Sequence, residues 1–329
     1  LGGPSWNAGK EKARKAIEKI AADLVEMYAY RKVAKGFRYD PPGDLYHEFE
    51  ATFGFEETPD QTRAIQDVLD DMDKPEPMDH LVCGDVGFGK TEVALRAAFR
   101  AASEGRQVAL LCPTTVLAEQ HFQTFRARLS GFPVNVGLLS RFVSRAKQKE
   151  TLAAAARGTI DILIGTHRLL SADVQLPNLA LLILDEEQRF GVRHKEKLKA
   201  LKKNVDVLTL TATPIPRTLQ LSMSGIRDLS VIETAPQERK PVATALLRRD
   251  TGQLRQILQR ELAREGQIFW VYNRVQGLER VRDYVRSLVP DARIGMAHGQ
   301  MGEVELEENM HKFWHGDLDI LVCTSIVES

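Results

Sequence analysis

The feature that most constrains the fold of this chain is a glycine-rich run that ends in Lys90 and Thr91. The run fits the pattern G-x-x-x-x-G-K-[ST] and lies between an apolar, strand-like segment and an amphipathic, helix-like segment. Gly84, Gly87 and Gly89 let the backbone curl until successive N–H groups face an anion, and the following helix points its positive dipole end the same way. We therefore predict a phosphate-binding loop, in which Lys90 adds a full charge and Thr91 is a magnesium ligand.

Length and composition indicate an ordinary globular protein. The 329 residues suggest about two domains, and the hydrophobic content of 43% fits globular cores. No run approaches the roughly 18 apolar residues that a membrane span requires, and the first ten residues lack an apolar signal region. We therefore expect no membrane partner and a cytoplasmic location. The absence of an initiating Met and the stop within a pattern at Ser329 suggest a piece of a longer protein.

Net charge and cysteine content point to no particular partner. Lys+Arg and Asp+Glu number 45 each, so any nucleic-acid binding depends on local patches. Cys83, Cys112 and Cys323 each close an apolar run, where thiols usually serve as small buried hydrophobes. No spacing typical of a zinc site is present.

From residue 80 onward, apolar runs alternate with helical patterns, as is typical of a doubly wound parallel sheet. A second series of apolar runs begins with PVATALL at residues 241–247, which we expect to be a strand. The connector APQERKP, which is polar and contains two prolines, lies between the two series. We therefore predict two α/β domains, over residues 43–236 and 237–329.

The segment before these domains has the pattern of one long helix. Between residues 1 and 38 there are nine Lys/Arg and four acidic residues. We predict a basic amphipathic linker helix within residues 1–42, whose charged face is either solvated, the reading we favour, or in contact with nucleic acid. Its apolar stripe consists of Ala13, Ile17, Ile20, Leu24 and Met27.

Two adjacent acids, Asp185 and Glu186, follow the apolar run LALLIL. In a nucleotide triphosphatase, Asp185 would hold magnesium while Glu186 would orient and deprotonate the attacking water. The alternative is that both acids are solvated and cap the next helix.

The segment FEETPDQ places Gln61 six residues after Phe55, ahead of the phosphate loop. A glutamine amide can both donate to and accept from adenine, and an aromatic face can stack on the purine. We predict an adenine-binding segment, although an aromatic residue in a turn is more often part of a core.

Two strand ends carry polar residues suited to binding a nucleic-acid backbone. Hydroxyl groups and helix N–H groups at such ends can hold phosphates without reading bases. Each residue alone is more often structural, and His167 fits a core histidine. A basic run over residues 189–203 either lies beside a duplex or is a solvated helix face. The predicted nucleic-acid-binding residues are Thr114, Thr115, Gln120, His121, Thr166, His167 and Arg168.

The motifs GDVGFGKTEVA, PTTVLAEQH, GTHRLL, DEEQRFGVRHKE, LTATPIPRT and SGIRDLSVIET occur in the order found in superfamily-two DNA translocases. Together they resemble the bacterial transcription-repair coupling factors over nearly the whole chain. The branched-DNA helicases of replication-fork rescue share the TATPIPRT phrase and are the alternative. A nucleotide-gated interaction module that does not move on DNA is a third possibility, from a different class.

The resemblance implies RecA-like P-loop domains, one complete and one truncated, that use ATP and Mg²⁺ to move on double-stranded DNA. It also implies displacement of a stalled RNA polymerase and recruitment of excision-repair proteins, through regions outside this chain. Tyr272, Asn273, Arg274 and His298 resemble elements that touch DNA from the second domain. Because the motif with the arginine finger lies beyond the last residue, we expect the chain alone to bind ATP but to hydrolyse it poorly.

The phrase TATP resembles the motif that couples the nucleotide state to the nucleic-acid cleft. By this resemblance, Thr211 and Thr213 would bond to Asp185 or Gln188 in one state and release them in another. Gln188 stands where the resemblance implies a histidine, and its amide can still form the link but cannot titrate.

Overall fold

The computed structural model forms two compact units, Leu1–Arg239 and Lys240–Ser329. Most of the predicted linker helix, much of the basic run and Thr213 lie outside the described residues. The structure describes residues 11, 29–31, 33–191, 194, 197–198, 201–202, 204–212, 227–237, 239, 242–247 and 250–325.

The first unit is built around a parallel sheet of seven strands in the order β3-β4-β2-β5-β6-β1-β7. Its strands are β1 (Asp79–Gly84), β2 (Gln107–Leu111), β3 (Val136–Leu139), β4 (Ile162–Gly165), β5 (Leu179–Asp185), β6 (Asp206–Thr211) and β7 (Asp228–Ile232). Its helices are α1 (Asp44–Ala51), α2 (Pro59–Met72), α3 (Lys90–Ser103), α4 (Thr115–Arg128) and α5 (Arg145–Ala156). Short 3₁₀ turns cover His167–Leu170 and Glu187–Arg189.

Apolar side chains project from both faces of this sheet, and the sheet is covered on both sides. Leu110 packs in a cluster with α1 to α4, which includes Phe49 and Phe99, whereas its neighbour Leu111 packs in a second cluster with Ala155 of α5. Alternate residues of a strand point to opposite faces, which explains why these strands are almost continuously apolar.

The second unit has a parallel sheet of three strands in the order β8-β10-β9. Its cores include Val285 and Ile320 in one cluster, and Phe313 and Leu321 in another. Its elements are α6 (Thr251–Ala263), β8 (Ile268–Val271), α7 (Leu278–Leu288), β9 (Ile294–Ala297), α8 (Glu303–Trp314) and β10 (Ile320–Cys323). The predicted α/β class, with a parallel sheet in each unit, is confirmed. Among the described helices, none combines the length and apolar character needed to cross a bilayer.

The strand expected over PVATALL is wrong for residues 242–247, which are neither helical nor extended in a sheet. Val242 is 91% exposed and Leu246 is fully exposed, so their apolar side chains gain nothing from burial. The first sheet has a seventh strand that was not predicted, β7, which pairs with β1 and is buried at only part of its length, as is usual at a sheet edge.

Candidate nucleotide site

The glycine-rich run forms a loop between the end of β1 and the start of α3. Gly87 has φ +80° and Gly89 has φ +85°, the left-handed region that side chains disfavour. Gly89 is also the N-cap of α3, so this backbone turn directs the chain into the helix. A Cβ at Gly84 would lie 3.1 Å from Ile232, so the loop leaves the sheet against β7. This is the strand–loop–helix geometry expected of a phosphate-binding loop.

Lys90 lies at the centre of the candidate site. Its Nζ donates to the carbonyl oxygens of Gly84, at 2.5 Å, and Asp85, at 3.0 Å. Burial lowers the pKa of Lys90, while the charges of Asp185 and Glu186 act in the opposite direction. The ammonium is therefore hydrogen-bonded to the loop, and the charges of both predicted catalytic acids stabilise its protonated form.

Gln61 is joined directly to the phosphate loop. Its Nε2 donates to the carbonyl of Phe88 at 2.9 Å, and its Oε1 accepts from the backbone N–H of Thr58 at 2.9 Å, as part of a capping box at the start of α2. A Cβ at Gly89 would lie 2.3 Å from this Nε2, so only glycine leaves room for the amide. Phe55 is 61% exposed, which leaves its ring open to stacking.

The two acids stand at the end of β5, and β6 lies between β5 and β1. Asp185 is buried, and its Oδ2 is 2.8 Å from Nε2 of His121 on α4. Glu186 has φ +51°, an unusual left-handed conformation for a side-chain-bearing residue. Its Oε1 accepts from the backbone N–H of Ala212 at 2.7 Å, and its Oε2 accepts from Nε2 of Gln188.

The coupling motif meets the catalytic acid through its backbone. Thr211 is buried at the end of β6, and the next amide, that of Ala212, is the group bonded to Glu186. The predicted bonds of the Thr211 and Thr213 side chains to Asp185 or Gln188 are separate from this backbone link and stay a prediction. Gln188 contacts the acid pair by donating from its Nε2 to Glu186, and its predicted coupling role stays a prediction.

The predicted nucleic-acid residues do not form one exposed surface. Three of them, Thr115, His121 and Thr166, are buried, and His121 is bonded to Asp185. A ring held in this way is unsuited to a DNA phosphate, so the structure associates His121 with the acid instead.

The other four predicted residues are accessible to different degrees. Thr114 caps α4 by accepting from the N–H of Leu117 at 3.2 Å, and Gln120 is half-buried on the same helix. Arg168 donates to both carboxylate oxygens of Asp173, at 2.7 and 2.6 Å. His167 is exposed, and its ring stacks on that of His194 at 5.2 Å.

The described residues contain no group of three or more His, Cys, Asp and Glu side chains that could hold a metal by itself. Magnesium is commonly bound by one or two protein oxygens together with substrate phosphates. Thr91 lies half-buried in the first turn of α3, and Asp185 lies at the end of β5, at the same edge of the sheet as the glycine-rich loop. This donor set fits a magnesium ion that arrives with a triphosphate.

Fold and site together define a P-loop protein with two parallel-sheet units, the architecture of helicase motors. Residues 58–222, half of the chain, match the family model for DEAD/DEAH box helicases, and residues 251–329 match the helicase conserved C-terminal domain. The chain therefore belongs to the DEAD/DEAH box helicase family, whose members bind ATP.

The resemblance to transcription-repair coupling factors is also confirmed. Over all 329 residues, the chain is 53% identical to the transcription-repair-coupling factor of Bacillus subtilis (strain 168) and 52% identical to that of Staphylococcus aureus (strain USA300). The chain spans only 28% of the length of each relative. A solved structure of RecG bound to a three-way DNA junction is 33% identical, with a TM-score of 0.74 over 95% of this chain and 43% of that one.

Proposed function

We propose that this chain is the motor segment of an ATP-driven translocase on double-stranded DNA. The full-length protein would displace stalled RNA polymerase and couple transcription to nucleotide excision repair, through regions outside this chain. The observation that carries the proposal is geometric: the glycine-rich loop follows β1 and the acids Asp185 and Glu186 stand at the end of β5, so both lie at the carboxyl edge of the same parallel sheet. The proposed parts are a linker helix within residues 1–42 and RecA-like domains over residues 43–236 and 237–329.

In the proposed reaction, the N–H groups of the loop and the ammonium of Lys90 hold the triphosphate of ATP, while Thr91 and Asp185 hold Mg²⁺. The ion would neutralise charge on the phosphates. Glu186 orients the attacking water in line with the γ-phosphate and accepts its proton. Because Glu186 is also bonded to the N–H of Ala212, a movement of this carboxylate on hydrolysis reaches the end of β6 directly.

Double-stranded DNA is the proposed track, held through its phosphates. In the first unit, the start of α4 at Thr114 and Thr115 supports this role through backbone N–H groups. In the second unit, a cleft of about 720 Å³ at the start of α7 is lined by residues that include Arg274, Arg280 and His298. Arginine side chains and helix N-termini suit backbone phosphates and carry no base preference.

A branched-DNA helicase is the second candidate, and the likeness to RecG, a protein solved on a three-way junction, favours it. Binding of forked DNA in preference to linear DNA by the full-length protein, without binding to RNA polymerase, would select this alternative. A nucleotide-gated module that does not move would bind ATP but would fail to displace a triplex-forming strand.

The test of the proposal has two stages. In this chain, Lys90→Ala should weaken ATP binding at least about tenfold, because it removes the charge that faces the triphosphate. In the full-length protein, the same change should abolish ATP-dependent displacement of a triplex-forming strand from duplex DNA. Unchanged ATP affinity in Lys90→Ala would contradict the nucleotide site. Slow hydrolysis by these 329 residues alone stays a prediction, which the turnover of ATP by this chain tests directly.

A further inference from the structure

Arg96 of α3 is a buried cation with three carboxylate partners. Its side chain is only 1% exposed. Nε donates to Glu92 at 2.8 Å, one terminal nitrogen donates to Glu50 at 2.6 Å, and the other donates to Glu57 at 2.5 Å. Glu92 lies on α3, Glu50 on α1, and Glu57 on the segment that enters α2. One guanidinium group therefore joins three separate pieces of the fold.

The segment that contains Glu57 is the one predicted to bind adenine. Glu57 follows Phe55 by two residues and precedes Gln61 by four. Its second oxygen, Oε2, accepts from the hydroxyl of Thr62 at 3.4 Å, so the carboxylate connects Arg96 to the first turn of α2.

Arg96 also contacts the aromatic start of this segment. The guanidinium carbon lies 5.8 Å from the centre of the Phe53 ring, and Phe53 packs edge-to-face on Phe55 at 5.6 Å. Both ends of the segment from Phe53 to Glu57 are therefore held by the same side chain.

The helix that carries Arg96 also carries the phosphate loop. Lys90 is the first residue of α3, and Arg96 follows less than two helical turns later. The base and the triphosphate of a nucleotide are covalently linked, so their binding groups must be held at a fixed separation. Binding groups that are already ordered before the ligand arrives lose less freedom on binding.

We propose that Arg96 is a positioning residue for the nucleotide base, which it serves by fixing the segment from Phe53 to Gln61 against α3 through Glu57. The inference rests on the proposed ATP-binding function and adds to it the means by which the base contributes to affinity. Glu57 is the link to the base, whereas Glu50, bonded to the same guanidinium, lies on α1 and serves as the matched comparison.

The electrostatic surroundings keep this cation charged. Burial on its own would lower the pKa of Arg96, but its hydrogen bond with Glu92 and the charges of Glu92 and Glu57 hold it above the ordinary value. Glu92 is also paired with Arg128 at 2.7 Å, so after truncation of Glu57 the two arginines, Arg96 and Arg128, still face two carboxylates, those of Glu92 and Glu50.

The experiment compares Glu57→Ala with Glu50→Ala in this chain. Calorimetry measures the dissociation constants of Mg–ATP and of Mg–tripolyphosphate, which carries the phosphates without the base. We expect the unaltered chain to bind ATP more tightly than tripolyphosphate. Glu57→Ala should raise the dissociation constant of ATP about tenfold while changing that of tripolyphosphate less than about twofold. Glu50→Ala should change both dissociation constants less than about twofold. Arg96→Lys, which keeps the charge but loses the three-way contact, should repeat the selective loss of ATP.

Three results with the variants, and two with the unaltered chain, would overturn the proposal. Glu57→Ala could weaken both ligands equally, it could leave ATP unchanged, or Glu50→Ala could match it. Equal affinity of the unaltered chain for ATP and tripolyphosphate would show that the base adds nothing to the affinity. The phosphate loop would then still stand as the binding site for the phosphates. Failure of the unaltered chain to bind either ligand would contradict the proposed nucleotide site itself, and the inference with it.

Discussion

The imidazole Nε2 of His121 lies 2.8 Å from Oδ2 of Asp185, and both side chains are buried. His121 belongs to α4, the helix that begins at the first predicted nucleic-acid loop, so this helix is joined directly to the predicted magnesium ligand. A carboxylate with one oxygen bonded to a histidine presents its other oxygen in a fixed direction. The relationship connects the predicted nucleic-acid loop at the start of α4 with the predicted nucleotide site.

His121→Ala should therefore impair the use of magnesium more than the fold. Loss of a partner that orients a metal-binding carboxylate typically costs about 10- to 100-fold in metal affinity. We expect the Mg²⁺ concentration for half-maximal ATP binding to rise by that order, measured by titration at fixed ATP. Gln123→Ala, at an exposed position of the same helix, is the control. The same magnesium dependence in both variants would contradict the link.

Much of the fold follows from the sequence because a buried parallel strand needs a continuous apolar run. The phosphate loop and the acids Asp185 and Glu186 follow such runs, and they lie where predicted. The two errors in strand prediction have the same physical origin. The segment at 242–247 is apolar but exposed, whereas β7 is a strand although only part of it is buried. A single sequence does not reveal which run finds a neighbouring strand.

The side-chain partners were less predictable than the strand ends. His121 and Asp185 are 64 residues apart in the sequence. The position of His121 near the start of α4 predicted a contact with DNA instead. The bonds of Gln61 to Phe88 and of Glu186 to Ala212 use backbone groups, which every residue has. Such pairings depend on how strands are ordered in the sheet, and that order is not written in local spacing.

Variants of Glu186 and Lys90 should distinguish the catalytic step from nucleotide binding. Glu186→Gln keeps the size of the side chain and an oxygen for the N–H of Ala212, but it cannot accept a proton from water. We expect nucleotide binding to persist and DNA-stimulated turnover in the full-length protein to fall at least about 100-fold. Lys90→Ala should instead lose binding. A loss of ATP affinity in Glu186→Gln as large as that in Lys90→Ala would contradict the assigned roles.

Arg31 should be a major source of stability in the first unit. Its buried guanidinium donates to the carbonyl oxygens of Met78, at 2.5 Å, Val205, at 3.1 Å, and Lys202. Arg31→Met would remove this donor from all three carbonyls, of which that of Met78 keeps a bond from the N–H of Val207, and should lower the free energy of unfolding by about 3 kcal/mol.

Urea-induced unfolding, followed by circular dichroism, measures this loss. Arg38→Met, at an exposed position in the same part of the chain, is the control and should change the free energy of unfolding by less than about 0.5 kcal/mol. Equal midpoints for the two variants would show that the buried contacts of Arg31 contribute little.

Asp206 should make stability depend on pH. Burial raises its pKa to about 7, although the hydrogen bond from the N–H of Met78 and the charge of Arg31 act to lower it. The ordinary pKa is about 4, so between about pH 4 and 7 the folded chain keeps a proton that the unfolded chain releases. The contribution of Asp206 to the free energy of unfolding is therefore fully present below about pH 4, decreases as the pH rises, and is lost above about pH 7.

Asp206→Asn removes this titration while keeping an oxygen that accepts from Met78. The free energy of unfolding, measured at several values between pH 5 and 8, should fall with rising pH by about 2–3 kcal/mol more in the unaltered chain than in the variant. Asp173→Asn is the control, because the hydrogen bond from Arg168 lowers the pKa of that exposed carboxyl and its titration ends below this range. Its slope should match that of the unaltered chain. A slope that persists in Asp206→Asn would assign the pH dependence to other groups.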